Sequence, residues 1–201
     1  MPAASSVPAA AAAAAAAPAP ARRRPRPPMA DPLDVTLEPL NSKKLEQLKL
    51  LNAAVLPVRF PESFYNDVVA SARESTVLAH LDDILVGGVA TRIEKAKDGA
   101  PGARLYIGSA CVLAPYRGRG IGTKLITRCI EAVMDWGDAN IKDAYLHVQS
   151  NNDEAIRFYE KHGFVKERLV ENYYKRIDPP HAQLMVRPFV YPPNTPSVAA
   201  E

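Results

Sequence analysis

The sequence predicts an α/β fold in which a mixed central sheet carries helices on both faces. Segments whose apolar residues recur with period two, as in strands, alternate along the chain with segments of helical period. A long apolar strand over Arg104 to Leu113 runs into a glycine-rich loop, and an amphipathic helical segment follows that loop. This order of elements indicates one sheet covered by helices on two sides.

Helical period, prolines and turn residues define the elements before the long strand. Leu56 to Pro61 separates two helices, because proline and the residue before it disfavour the helical conformation. Asp82-Asp83 forms a hairpin turn. The predicted elements are a strand over 34–38, a helix through Leu45, Leu48, Leu51 and Val55, a helix over 62–72, strands over 77–81 and 84–93, and a charged loop over 95–103.

The second half of the chain repeats the strand–helix pattern and ends in two strands. A strand over 143–149 precedes a helix over 152–162, which Asn151 or Asn152 caps and Gly163 ends. Strands over 164–169 and 184–190 flank an aromatic and charged segment. The helix after the glycine loop buries a stripe of Leu125, Ile126, Cys129, Ile130, Val133 and Met134.

Charge and composition separate a globular domain from an unusual N-terminal extension. The chain has 201 residues and a net charge of +3, but residues 1–30 hold four arginines and no acid, which leaves 21 basic and 22 acidic residues. This balance argues against direct nucleic-acid binding by the domain, and no apolar stretch reaches the ~20 residues of a membrane span. Cys111 and Cys129 lie in apolar runs and are predicted to be reduced core residues of an intracellular protein.

Residues 1–30 are predicted to be a disordered extension rich in alanine, proline and arginine. They hold nine consecutive alanines and seven prolines, a composition that does not favour a docked helix. The lack of acids also resembles an organelle transit peptide, although Ser5 and Ser6 are the only hydroxyl residues. Met29 is an alternative start of translation. A globular domain is expected over 31–190 and a flexible tail over 191–201.

The glycine-rich loop from Arg117 to Gly122 predicts a phosphate-bearing ligand. Glycines permit backbone angles that other residues avoid, and the next helix directs unpaired N–H groups and its positive dipole end at the loop. A Walker A loop would end Gly-Lys-Ser/Thr, whereas here Thr123 precedes Lys124. A dinucleotide fingerprint needs a third glycine at Thr123. The pattern Arg-x-x-Gly-x-Gly resembles that of the GCN5-related N-acetyltransferase (GNAT) superfamily.

A second signature extends this resemblance. The segment from Asn151 to Phe164 resembles the superfamily's Asn-capped helix with Ala-x-x-Phe-Tyr and a following Gly-Phe. Matches around 105–107, 145–149 and 172–177 are similar to the protein N-terminal acetyltransferases of NatE type, over roughly residues 34–184. The resemblance implies the GNAT fold, with a mostly antiparallel sheet of about seven strands, and acetyl transfer from acetyl-CoA to an amine. It implies no metal.

The cofactor site implied by the resemblance spans the long strand, the loop and the later helix. Backbone N–H groups of the loop would hold the pyrophosphate, and the strand would lend an N–H to the developing oxyanion. Tyr159 would protonate or hydrogen-bond the departing thiolate, with core packing as its alternative role. The residues are Ala110, Cys111, Val112, Leu113, Arg117, Gly118, Arg119, Gly120, Ile121, Gly122, Thr123, Asn152, Ala155, Phe158 and Tyr159.

The resemblance also implies catalytic and substrate residues. His147, which strand alternation places on one face with Tyr145 and Gln149, matches the family's catalytic histidine, and Tyr106 matches its catalytic tyrosine. A water held between them would deprotonate the amine, which attacks directly in a ternary complex; a structural histidine is the alternative. The implied substrate residues are Leu56, Pro57, Val58 and Phe60 in the interhelical loop, Arg92, and the clamp residues Tyr173, Tyr174 and Ile177.

The expected function is acetylation of the α-amine of peptides that begin with Met and an apolar residue. At Leu56 the family more often has phenylalanine and at Phe60 tyrosine, so the pocket should stay apolar but lose a hydroxyl. The alternatives are acetylation of lysine or small amines, or a non-catalytic acetyl-CoA-binding subunit of a ribosomal NatA-type complex. Expected partners are nascent peptide N-termini, NatA-type subunits and the ribosome, without nucleic-acid or membrane binding by the domain. The expected location is cytoplasmic, with nuclear and plastid locations as alternatives.

Overall fold

The computed structural model describes residues 32–71, 74–96 and 101–191. The predicted extension over 1–30, and the predicted tail apart from its first residue, lie outside the described residues. Within these ranges the strands are β1 Thr36–Pro39, β2 Val77–Leu81, β3 Ile84–Lys95, β4 Ala103–Val112, β5 Ile141–Gln149, β6 Val165–Val170 and β7 Ala182–Pro188. The α-helices are α1 Leu45–Val55, α2 Glu62–Ser71, α3 Ile121–Asp135 and α4 Asp153–Lys161.

The seven described strands form one sheet in the order β1-β2-β3-β4-β5-β7-β6. Neighbouring strands are antiparallel except β4 and β5, which are parallel. The predicted α/β fold with a mixed, mostly antiparallel sheet of about seven strands is confirmed. β3 continues past its predicted end at Ile93, because Glu94 and Lys95 still pair with residues of β4. β7 starts at Ala182 rather than at the predicted Leu184.

β4 and β5 stay together for only part of their length. Their register ends at the pair Tyr106 and Tyr145, although β4 continues to Val112 and β5 to Gln149. On its other side β4 pairs with β3 from Ala103 to Val112. We call the space between the two strands beyond the last pair the notch. Along the notch, the backbone edge of β4 is open to another partner.

Helices cover both faces of the sheet, as predicted. α1 and α2 bury Leu48 and Phe64 against Leu78 of β2. Val77 and Ala79, the neighbours of Leu78, belong instead to the main core with α3. This is the alternation expected of a strand with one helical layer on each side.

The local sequence signals agree with the element ends. Asp82 in the β2–β3 turn has a φ of 52°. Asn152 is the cap of α4, and its Oδ1 accepts from the Ala155 N–H at 3.1 Å. Gly163 ends that helix with a φ of 81°. The predicted stripe of α3 is buried except for Met134, which is half-buried.

Both cysteines are free and buried, as predicted. Burial in apolar surroundings raises the pKa of the Cys111 thiol and of the Cys129 thiol to about 12. Both side chains therefore remain neutral thiols at physiological pH. They belong to the core rather than to the reacting groups.

A cluster of buried hydroxyls fixes β3 where its register with β4 shifts. The Thr91 N–H donates to Thr76 Oγ1 at 2.9 Å, and the two hydroxyls lie 3.1 Å apart. Ser75 Oγ lies 2.8 Å from Thr91 Oγ1. Thr91 immediately precedes Arg92, so this cluster sets the position from which the Arg92 side chain starts.

The substitution Thr76→Val removes this buried acceptor while keeping the side-chain shape. The Thr91 N–H would then lack its partner inside the core, so we expect the free energy of unfolding to fall by about 1–3 kcal/mol. Urea denaturation at an unchanged m-value measures the loss. Thr36→Val, at an exposed position of β1, is the matched control and should change stability by less than about 0.5 kcal/mol. Equal stabilities of the two variants would contradict the assigned role of Thr76.

Candidate active site

The predicted phosphate loop lies between the end of β4 and the start of α3. A 3₁₀ turn over Ala114–Tyr116 leads into it, and Gly118 and Gly120 have φ angles of 75° and 79°. Residues with a Cβ rarely adopt these left-handed angles. Among the described residues no side chain caps α3 after Gly120. The first-turn N–H groups of α3 therefore point into the loop, which fits a pyrophosphate.

The loop is held in shape by contacts to its own surroundings. Arg117 Nε donates to the Val112 carbonyl at 2.8 Å, which fastens the loop to the end of β4. The Leu33 N–H donates to the Arg119 carbonyl at 3.4 Å, and Lys124 Nζ donates to the Leu33 carbonyl at 3.0 Å. The segment before β1 thus packs against the loop. In this arrangement the Arg117 side chain stabilises the conformation of the loop.

The part of β4 that borders the notch contains a β-bulge. Ala90 pairs with Ser109 and Thr91 pairs with Ile107, so Gly108 is the extra residue of β4. Beyond the bulge, the edge of β4 that faces the notch offers backbone donors and acceptors to an extended ligand. The pantetheine chain of acetyl-CoA, with its two amides, fits such an edge.

The structure brings the two predicted catalytic side chains together at the vertex of the notch. Tyr106 belongs to the last paired position of β4 and β5, and its ring centroid lies 6.3 Å from that of His147. The Tyr145 ring forms a triangle with them, with its centroid 5.0 Å from that of Tyr106 and 6.0 Å from that of His147. A spacing of this size between an imidazole and a phenol leaves room for a bridging water.

Tyr173 of the segment between β6 and β7 covers this pair. Its ring stacks on His147 with the centroids 4.2 Å apart and an interplanar angle of 13°. The Tyr106 phenol lies close to it, and burial raises the pKa of the Tyr173 phenol far above the usual range. The predicted clamp residue therefore touches both predicted catalytic residues and stays protonated.

The two predicted substrate-binding segments meet above the notch. Val58 of the α1–α2 loop packs with Tyr173, Tyr174 and Ile177, although more than a hundred residues separate the two segments. Leu56 is buried against Cys111 of β4 and Leu51 of α1. Pro57 is exposed. Phe60 stacks on Phe64 with ring centroids 4.5 Å apart. The segments form an apolar wall on the side of the site where β4 ends.

Arg92, predicted to lie near the substrate, is held against the other side of Tyr106. Its guanidinium lies 5.0 Å from the Tyr106 ring centroid. Its Nε donates to Glu94 Oε1 at 2.7 Å, and its Nη1 lies 3.2 Å from Asp67 Oδ2. The two carboxylates balance its charge, so Arg92 contributes to the placement of Tyr106.

The α4 residues predicted to contact the cofactor lie beside the start of α3. Phe158 packs where a side chain at Gly122 would come within 3.4 Å of its ring. Tyr159 is 3% exposed and packs on Phe164 with ring centroids 5.5 Å apart. Burial raises the pKa of its phenol well above the usual range. Tyr159 is thus both a core residue and a protonated hydroxyl close to Cys111.

Within residues 32–71, 74–96 and 101–191, no three His, Cys, Asp or Glu side chains come together as ligands for a metal ion. His162 Nδ1 lies 2.8 Å from the Phe158 carbonyl oxygen, and His181 Nδ1 accepts from the Asn172 N–H. In the same described part of the chain, none of the helices is long and apolar enough to cross a membrane.

Sequence reasoning missed a set of charged residues beside the predicted catalytic pair. The Tyr145 hydroxyl donates to Glu94 Oε2, and Arg104 Nε donates to Asp143 Oδ1 at 2.6 Å. The Arg104 guanidinium lies 4.5 Å from the Tyr145 ring centroid. The signal for the β5 members was the alternation that places Asp143, Tyr145 and His147 on one face. The β3 and β4 residues of this set could be placed beside them only once the pairing of the strands was known.

Comparisons with known proteins agree with the site. A family model described as "Acetyltransferase (GNAT) family" matches residues 45–164. N-alpha-acetyltransferase 50 of Danio rerio is 38% identical over 151 residues, which cover 75% of this chain and 86% of that protein. The probable N-acetyltransferase san of Drosophila melanogaster is 40% identical over 153 residues, which cover 75% of this chain and 79% of that protein.

A solved structure extends the likeness to three dimensions. Arabidopsis thaliana Naa50 in complex with the bisubstrate analogue CoA-Ac-MVNAL superposes with a TM-score of 0.69 at 39% identity. The match covers 78% of this chain and all of that one. These findings confirm the predicted enzyme class, an acetyl-CoA-dependent N-acetyltransferase. Since the family model spans more than half of the chain and both relatives match most of it, the chain belongs to the GNAT family of acetyltransferases.

Proposed function

We propose that this chain acetylates the α-amine of peptides that begin with Met followed by an apolar residue. The observation that carries the proposal is the meeting of Tyr106 and His147 at the vertex of the notch, directly under Tyr173. A proton acceptor, an open strand edge and an apolar wall come together at this one point. They correspond to the three needs of acetyl transfer to a peptide amine.

Each step of the proposed reaction uses groups described above. Acetyl-CoA supplies the acetyl group as a thioester. The loop N–H groups bind the pyrophosphate, and a backbone N–H from Ala110 to Leu113 stabilises the developing oxyanion. Tyr106 and His147 hold a water that takes a proton from the substrate ammonium, and the free amine is then the nucleophile. As the C–N bond forms and the C–S bond breaks, the second proton of the attacking nitrogen passes to the departing thiolate. The Tyr159 hydroxyl, kept protonated by its burial, donates a hydrogen bond to that sulfur.

The apolar wall supports the choice of substrate. Leu56, Val58 and Phe60 present carbon surface next to the clamp residues, with which Val58 packs. Burying a methionine-sized side chain against such a surface contributes about 1.5–3 kcal/mol. The Arabidopsis relative was captured with an analogue whose peptide part, MVNAL, begins with Met and Val.

We further propose a NatE-type enzyme that acts in the cytoplasm on nascent chains, together with NatA-type subunits at the ribosome. The likeness to N-alpha-acetyltransferase 50 supports the type. Two cysteines kept as free thiols support a reducing compartment.

A peptide panel tests the choice of acceptor. Purified protein with acetyl-CoA should acetylate a Met-Leu peptide at least about 10-fold faster, in kcat/KM, than a Ser-Glu peptide, since loss of the apolar side chain removes more than 1.4 kcal/mol of binding. An acetyl-Met peptide with an internal lysine should react more slowly still. A preference for the lysine peptide would establish the ε-amine alternative, and inactivity on all three would favour the non-catalytic subunit.

The substitution His147→Ala tests the proton acceptor. Removal of a general base should lower kcat by at least about 100-fold, while the affinity for acetyl-CoA, measured by calorimetry, should change by less than twofold because the loop is untouched. His80→Asn is the matched control, since His80 pairs with Glu38 at the β1 edge of the sheet, away from the site. Full turnover by the His147 variant would exclude the proposed water between Tyr106 and His147.

A further inference from the structure

A second opening reaches the catalytic histidine from the end of β4 that is remote from the cofactor loop. It is a small open cavity of about 70 Å³, which we call the release cavity. Arg104, which lines it, lies near the start of β4. The glycine loop and the Leu56 side chain lie at the other end of that strand, because the loop follows Val112 and Leu56 packs on Cys111. Its lining residues are Glu94, Lys95, Arg104, Tyr145, His147, Arg168 and Leu184.

The lining makes the release cavity a place for water. It combines one carboxylate, two guanidinium groups, one ammonium group, one hydroxyl and the imidazole, and a polar cavity of this kind admits water. Cofactor and peptide, in the proposed function, occupy the notch and the apolar wall at the other end of β4. The release cavity therefore remains open to solvent while the substrates are bound.

Glu94 and Tyr145 form one wall of the release cavity. Glu94 accepts from Tyr145 through Oε2 and from Arg92 through Oε1, so its carboxylate is held in place on both oxygens. The Tyr145 ring in turn meets His147 edge to face at 6.0 Å. Side-chain register explains this row: Arg92 pairs with Tyr106 and Tyr106 with Tyr145 across three strands.

We propose that the release cavity is the path by which the proton leaves His147 after each turnover, with Glu94 as a positioning residue. Glu94 orients Tyr145 and supplies a fixed negative charge that favours the imidazolium. One proton passes from the substrate ammonium to the imidazole and from there, through water in the cavity, to solvent, which returns His147 to its neutral form. This inference rests on the proposed function.

The charge of Glu94 acts against a set of cations around the same histidine. From β3 the facing groups are Glu94 and Lys95, with Arg92 behind Tyr106. From the other elements they are Arg104 and Tyr106 of β4, Tyr145 of β5 with Asp143 on the same face and paired with Arg104, Arg168 of β6 and Tyr173 of the clamp segment. Burial raises the pKa of both the Tyr145 and the Tyr173 phenols well above the usual range. The tyrosines are therefore neutral, and the ionic groups set the field at His147.

Two substitutions of opposite charge effect test the inference. A general base must be deprotonated to work, so activity falls on the acid side of the base pKa. Glu94→Gln removes a negative charge, destabilises the imidazolium and should move the acid limb of kcat/KM to lower pH by about one unit. Arg104→Gln removes a positive charge and should move the same limb to higher pH. Both variants keep the side-chain length.

The measurement is kcat/KM between pH 5.5 and 9.5 with the Met-Leu peptide and saturating acetyl-CoA. Glu167→Gln, at an exposed position of β6 outside the cavity lining, is the matched control and should leave the limb at its wild-type pH. NMR titration of the His147 ring reports the same shifts where turnover is slow. If one variant does not fold, the direction in which the acid limb moves in the other variant decides whether the inference stands.

Opposite shifts in the two variants support the inference, because general damage to the fold would lower the rate without moving the limb in two directions. Shifts in the same direction, or an unmoved limb, overturn it. If the wild-type protein acetylates the Met-Leu peptide but the acid limb stays fixed in both variants, this inference is rejected and the proposed function is not. If the wild-type protein acetylates no peptide N-terminus, the proposed function is rejected instead.

Discussion

The separation of β4 from β5 beyond Tyr106 and Tyr145 is the constraint on which the rest of the site depends. Inside a sheet, each strand normally satisfies its backbone groups on both edges. β4 is bonded to β3 along its whole length but to β5 only at its start, so an unpaired edge is present in the middle of the sheet. A ligand with amide groups of its own can complete that edge. The predicted catalytic pair lies at the vertex because the two strands still hold Tyr106 and Tyr145 side by side there.

The surroundings of this vertex keep phenols neutral and place charges in pairs. Tyr145, Tyr173 and Tyr174 are all buried enough to raise their pKa values, so the tyrosines act as hydrogen-bond donors rather than as bases. The ions beside them occur as Arg92 with Glu94 and Arg104 with Asp143. Paired charges cost less to hold near the core than single ones. They leave His147 as the group at the vertex whose unperturbed pKa lies near neutrality.

Much of the fold was predictable because its signals are local. The stripe of α3, the break at Pro57 and Pro61, and the cap at Asn152 depend on residues only a few positions apart. The strand order is different, since β7 lies between β5 and β6 through pairings that no local period encodes. The ends of β3 and β7 were missed for the same reason. Lys95 was assigned to the charged loop, although its pairing with Ala103 keeps it in the sheet.

The residues of the site also differ in how far local sequence signals predict them. The glycine loop could be recognised from its spacing, because Gly118 and Gly120 take the left-handed angles that the pattern requires. The roles of Tyr106 and His147 came from family resemblance, since a tyrosine and a histidine in separate strands have no local signature. Their neighbourhood with Arg92 and Glu94 follows from strand register alone. Charged residues at alternate positions of a strand were therefore a usable signal only once the pairing of that strand was known.

The apolar wall limits how sharply such an enzyme can select its substrates. Phe60 stacks on Phe64 and presents no hydroxyl, where the family more often has a tyrosine. An apolar surface distinguishes side chains by contact area, and one methylene changes the rate by only about 10–200-fold. Selection of the first side chain is therefore graded among apolar residues. Under the proposed function, sharp discrimination falls to the amine, whose proton must reach the water between Tyr106 and His147. A peptide that cannot place an amine there does not react, however well its side chain fits the pocket.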